Sequence, residues 1–152
     1  MFDVVLIALD NRPFDHQVMA AVQQLKLADG TAAVFAHVLP YAEDTAGQDV
    51  SRPLPVDHEF PHSQIEQHLQ ACAAQLPDVT AMFEIVQGDA ETEILRLANI
   101  HQASLIVLGS RGLTGVDRIL AGSVSSQVVA EAPCTVMVVK SPVKADEAED
   151  RP

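Results

Sequence analysis

Basic residues, cysteines and long apolar runs are all scarce in this 152-residue chain, and each scarcity closes off a class of function. The 9 Lys+Arg stand against 21 Asp+Glu, a formal net charge of −12. Nucleic acids and anionic lipids are held largely through Lys and Arg contacts to phosphate, so this balance opposes nonspecific binding to either. The 2 cysteines, Cys72 and Cys134, are too few for a disulfide framework and too far apart for a Cys-x-x-Cys redox or zinc motif. They suit a reducing, cytoplasmic setting. No apolar stretch approaches the ~20 residues that span a bilayer. The run from Val4 stops at Asp10 with no basic region ahead of it, so neither a membrane span nor a signal peptide is expected.

Several catalytic signatures are missing as well. There is no Gly-x4-Gly-Lys-Ser/Thr loop, no Gly-x-Gly-x-x-Gly after the first apolar run and no Gly-x-Ser-x-Gly elbow. His58-Glu59-Phe60-Pro61-His62 matches the His-Glu-x-x-His string of zinc proteases, but that chemistry needs both imidazoles on one face of a regular helix. Pro61 falls inside the string, and the segment reads as solvated loop.

The length suits one domain, since domains commonly run to roughly 100–150 residues. Four short apolar runs, residues 4–9, 32–39, 105–108 and 136–139, read as strands covered on both faces, and residues 79–86 alternate as an edge strand does. Helical spacings separate them: Val18, Val22 and Leu25; Ile65, Leu69, Cys72 and Leu76; Ile94, Leu95, Leu97 and Ala98; Val124, Val128 and Val129. The order βαβαβαβαβ specifies an α/β fold, a three-layer α/β/α sandwich around a five-stranded parallel sheet. The domain is expected over residues 1–140. Residues 41–63 read as an acidic, proline-rich mobile loop of net charge −4, and residues 141–152 as an acidic disordered tail of net charge −2. His37, Cys72 and Cys134 read as packed residues.

Four of the 7 glycines, Gly109, Gly112, Gly115 and Gly122, lie at the end of the fourth strand and before the helix that starts near Val124. Residues 105–126 carry Arg111 and Arg118 against Asp117, a net +1 within a chain of −12. Free N–H groups at a helix start, serine hydroxyls from Ser123, Ser125 and Ser126, and glycines that admit close backbone approach together make a candidate anion site. The other reading is a glycine-rich αβ connection with a serine cap. Arg111 can reach a phosphate or stand exposed in the loop.

The run Gly109-x2-Gly112-x9-Gly122-Ser123 resembles the nucleotide-binding signature of the universal stress protein family. The resemblance extends to the first strand ending in Asp10, to His37-Val38, to Gly88 before Glu93-Ile94-Leu95, and to the closing segment 132–139. It implies an adenine nucleotide alpha hydrolase-like fold with strand order 3-2-1-4-5, and ATP held at the ends of the first and fourth strands. Carried over by position, Ala8, Leu9 and Asp10 line the adenosine, Asp10 near the ribose, and Val38 meets adenine through its backbone. Leu108, Gly109 and Gly112 border the ribose and phosphates, while Gly122, Ser123, Val124 and Ser125 hold the triphosphate with Mg2+ or Mn2+ on its oxygens. The family pairs the last strand, Thr135 to Lys140 here, antiparallel with its copy in a homodimer. One departure stands out: where the family continues after the aspartate with Gly-Ser or Phe-Ser, this chain has Asn11-Arg12-Pro13-Phe14.

The resulting expectation is an ATP-binding, nucleotide-dependent regulator of stress response acting through its dimer and an unidentified protein partner. Two alternatives remain: an interaction module of the same fold that binds no nucleotide, and a slow ATPase.

Overall fold

Val, Ile and Leu follow one another in the central strands because both faces of the sheet are covered. The computed structural model describes residues 2–40, 59–110 and 124–140. The strands are β1 (Val4–Ala8), β2 (Ala32–Leu39), β3 (Thr80–Gln87), β4 (Leu105–Gly109) and β5 (Thr135–Val139). They form one sheet in the order β3-β2-β1-β4-β5, and every pairing is parallel. Helices α1 (Asp15–Leu25), α2 (Glu59–Ala73) and α3 (Ala90–His101) fall between the strands, and α4, residues 124–131, precedes β5. The five-stranded parallel sandwich and its strand order are those the sequence implied.

Alternate side chains of each strand divide between two cores, as the period-2 geometry of a strand requires. Val5, Ile7, Ala33, Phe35, Leu105 and Val107 face α1 and α2, where they meet Val18, Met19, Val22, Ile65, Leu69 and Cys72. Leu6, Val34, Ala36, Ile106 and Leu108 face α3 and α4, meeting Ile94, Leu97, Ala98 and Val128. Full burial of side chains such as Phe35, Leu69 and Leu97 contributes about 1.5–3 kcal/mol each.

Three expectations change in detail. Helix α2 starts at Glu59, so residues 59–63 belong to a helix and not to the loop assigned to 41–63. Pro61 is its third residue, in the first turn, where a missing N–H breaks no intrahelical bond. Proline therefore does not bar a helix there. His58 of the His-Glu-x-x-His string lies outside the described residues, and among those described no three His, Cys, Asp or Glu side chains gather to hold an ion. Val129, expected on the buried face of its helix, is 54% exposed, because its neighbour Val128 takes the core position. Residues 41–58 and the tail 141–152 lie outside the described residues.

Candidate functional site at the strand switch

The sheet reverses its winding between β1 and β4. The ladder between these two strands runs through Val5↔Leu105, Leu6↔Ile106 and Ile7↔Val107. Each strand then continues pairing only with its outer neighbour. β1 reaches Ala8↔Ala36, after which the Leu9 N–H donates to the Ala36 carbonyl at 2.9 Å. β4 reaches Gly109↔Val139, after which the Ser110 N–H donates to the Val139 carbonyl at 2.9 Å. Chain leaving β1 enters α1 on one face, and α4, which follows β4, packs on the other. The strand ends therefore part into a crevice at the carboxyl edge, the place where doubly wound sheets take ligands.

Eight of the twelve expected site residues are described. Ala8 is the last residue of β1, and Asp10 is exposed just beyond it. Leu9 between them is 2% exposed with its side chain in the core, and its carbonyl accepts from His37 Nδ1–H at 2.8 Å. His37 is thus a buried link between strand ends, as its sequence context suggested. Val38, near the end of β2, is partly buried and pairs in register with Val86 of β3. Leu108 is buried among the α3 and α4 contacts, and Gly109 ends β4. Val124 and Ser125 open α4, whose N–H groups and positive dipole end face the carboxyl edge, since a helix joining parallel strands must run back across the sheet. Ser125 is buried. Arg111, Gly112, Gly122 and Ser123 lie outside the described residues.

Gly109 has a packing reason that sequence reasoning missed. A Cβ on this residue would lie 2.8 Å from Cδ2 of Phe14, inside the ring's van der Waals surface. Phe14 reaches that position through a turn in which the Asp15 N–H donates to the Arg12 carbonyl at 2.9 Å. Pro13 stands second in the turn, where its fixed φ is favoured. The segment that departs from the family pattern thus has a local structure of its own.

The same turn brings in Asp15, which sequence reasoning did not single out, and through it His68, which the sequence offered only as an adventitious metal ligand with His58 and His62. Asp15, only 3% exposed, opens α1 and folds its carboxylate back over the end of β1. Its Oδ1 accepts from the Asp10 N–H at 2.9 Å, and its Oδ2 from the Asn11 N–H at 2.8 Å. His68 of α2 lies with Nε2 at 2.7 Å from the same Oδ2. A carboxylate already accepting two backbone bonds accepts the third, so His68 carries its proton on Nε2. Cys72, one turn further along α2, places Sγ at 3.8 Å from that nitrogen.

Cysteine, histidine and aspartate in contact suggest a nucleophilic triad, but the geometry denies it. A triad needs the acid on one ring nitrogen and the nucleophile on the other. Here both meet Nε2. Burial, and secondarily the Asp15 charge, push the Cys72 thiol up to about 11, away from the thiolate a nucleophile requires. The only sequence signal for the cluster was a histidine beside the apolar stripe Ile65, Leu69, Cys72.

The fold defines a doubly wound α/β protein whose strand ends part at the switch between β1 and β4. The chain belongs to the universal stress protein family, whose model matches residues 1–140. A universal stress protein of Thermus aquaticus is 31% identical over 143 residues, covering 92% of this chain and all of that one. A 46% match to universal stress protein MJ0531 of Methanocaldococcus jannaschii is confined to 61 residues, 40% of this chain and 36% of that protein. Among solved structures, hypothetical protein MJ0577 superposes with a TM-score of 0.72 at 23% identity, covering 93% of this chain and 97% of its own. A universal stress protein in complex with cAMP gives a TM-score of 0.67 at 19% identity, covering 91% and 96%. A family protein from Arabidopsis thaliana with AMP bound gives 0.60 at 18%, covering 98% and 95%. At these identities the structural likeness speaks for the fold. Among the described residues, no helix is long and apolar enough to cross a membrane.

Proposed function

We propose that this chain is a cytoplasmic, homodimeric ATP-binding regulator whose nucleotide state is read by a protein partner. The observation that carries the proposal is the parting of β1 and β4 at the carboxyl edge, with the run Gly109-x2-Gly112-x9-Gly122-Ser123 leading from β4 into α4. Relatives of the same fold with cAMP and AMP bound support an adenine nucleotide as the ligand class.

In this reading Asp10 accepts from ribose hydroxyls, and Ala8, Leu9 and Val38 border the nucleoside with their backbone. Leu108, Gly109 and Gly112 border the ribose and phosphates, and Arg111 adds positive charge beside them. Gly122, Ser123, Val124 and Ser125 meet the triphosphate with helix-start N–H groups and hydroxyls. Mg2+ or Mn2+ supplies charge neutralisation on the phosphate oxygens. The chain's residues bind and orient the nucleotide, and no side chain is assigned to cleaving it. Calorimetric titration of ATP with Mg2+ into nucleotide-free protein tests this reading. Binding is expected in the native chain and its loss in Gly122→Val, where a branched side chain blocks the phosphates; equal affinity in both removes the site.

A second reading, a module of this fold that works through protein contacts alone, is favoured by two observations. Gly109 is already explained by Phe14, and the Asp10 and Asn11 N–H groups are engaged by Asp15 rather than open to phosphate. Acid extraction of freshly purified protein separates the two. Absence of nucleotide, together with no thermal shift on adding ATP, supports the second reading.

A further inference from the structure

We propose that His68 and Asp15 form a positioning clamp through which α2 sets the Asp10–Asn11 turn at the crevice and tunes how tightly the site holds its nucleotide. The proposal rests on the nucleotide reading above.

Asp10 and Asn11 are the first residues to leave the end of β1, so their backbone decides where the Asp10 carboxylate stands relative to the crevice. Asn11 has φ +62, a left-handed conformation that L residues other than asparagine and aspartate adopt reluctantly. Such a conformation persists where its surroundings hold it. The Asp15 carboxylate does so, one oxygen on the Asp10 N–H and the other on the Asn11 N–H.

Asp15 is itself in need of support. Its side chain is 4% exposed, and a buried carboxylate is tolerated only when donors saturate it. The third donor comes from outside the turn: His68 lies 53 residues along the chain, on a different helix. Its side chain is 30% exposed, so the clamp can be reached from solvent or by a partner while Asp15 cannot. The hydrogen-bond partners of His68 among the described residues are Asp15 and Cys72, so it acts on the turn through Asp15. A shift of α2 relative to α1 would withdraw the donor, loosen the carboxylate and release the turn. The arrangement therefore couples the α2 surface to the ribose side of the site.

The full chain with His68→Ala and His68→Gln provides the test, read in two ways. Amide protons donated to a carboxylate are deshielded and protected, so nitrogen-15 NMR of Asp10 and Asn11 reports the clamp directly. Titration with ATP and Mg2+ reports its effect on the site. In His68→Ala both amide signals are expected to move upfield and exchange faster, and affinity to fall about three- to tenfold, the order of one typical net hydrogen bond. Glutamine, which restores an N–H donor at similar reach, is expected to recover both. Asp15→Asn, nearly isosteric, turns an amide donor toward one backbone N–H and is expected to lose affinity as the alanine variant does. Unchanged amide signals in His68→Ala overturn the clamp, and unchanged affinity in a native chain that binds ATP overturns the tuning role alone. A native chain that binds no ATP removes the nucleotide reading and the tuning role with it, while the amide signals still report whether the turn is held.

Discussion

At the scale of single residues, Gly109 carries two demands that can be separated. Its hydrogen in place of a side chain admits the Phe14 ring, and in the nucleotide reading it also borders the ligand. Gly109→Ala should destabilise the fold by about 1–3 kcal/mol, the usual range for forcing extra volume into a packed site. Phe14→Leu in the same chain removes the ring and should recover much of that loss, a coupling that a double-mutant cycle of denaturant unfolding measures. Additive effects would show that the ring is not the obstacle. This pair was not legible in the sequence. Phe14 looked like a departure from a family pattern, and only the Arg12–Asp15 turn reveals that it points beneath β4. Asp15 escaped notice for a related reason, since its partners are two backbone N–H groups and a histidine on another helix.

At the scale of elements, the central strands were legible because burial on both faces leaves an unbroken apolar run. Their residues alternate between two cores with Val5, Leu6 and Ile7 all at 0% exposure. Helix faces were legible where one stripe alone is apolar, as in α3, and less so where two adjacent valines compete, as Val128 and Val129 do. The start of α2 was hidden by acidic residues and by Pro61, features shared by loops and by first helical turns. Of the site, the glycine signature was visible in sequence and three of its four residues, Gly112, Gly122 and Ser123, lie outside those described, whereas the parting of β1 and β4 is a property of pairing that no local spacing encodes. Helix α3 offers a direct check on which face is structural. Leu97 is 1% exposed and Ile100 56%, although both are large and apolar. Leu97→Ala should cost about 2–5 kcal/mol and Ile100→Ala no more than ~0.5, compared by chemical denaturation. Similar losses at both positions would mean that Ile100 is covered by another surface in solution.

For the molecule as a whole, the sheet ends in two unlike edges. Among the described residues, β3 pairs only with β2, and β5 only with β4. β5 consists of Thr135 and four partly buried apolar residues, and an apolar edge of this kind invites a further strand. Addition of a second copy's last strand, antiparallel, is the arrangement the family resemblance implied. Sedimentation equilibrium at micromolar concentration should return twice the 16.3 kDa chain mass. A single-chain mass across that range would remove the homodimer from the proposal. The charge of −12 has a further bearing: two such chains repel one another, so association should strengthen as salt is added.

The hydrogen bonds at the strand tips bear on how a guest enters. Leu9 is tied to β2 by its own N–H and by His37, and Ser110 is tied to β5. Each wall of the cleft is thereby fastened to its outer neighbour and not to the opposite wall. In the nucleotide reading the tips do not part further to admit the ligand, so on the β1 side accommodation falls to the Asp10–Asn11 turn. Amide exchange at Leu9 and Ser110 should then hardly register ATP, while Asp10 and Asn11 carry the response.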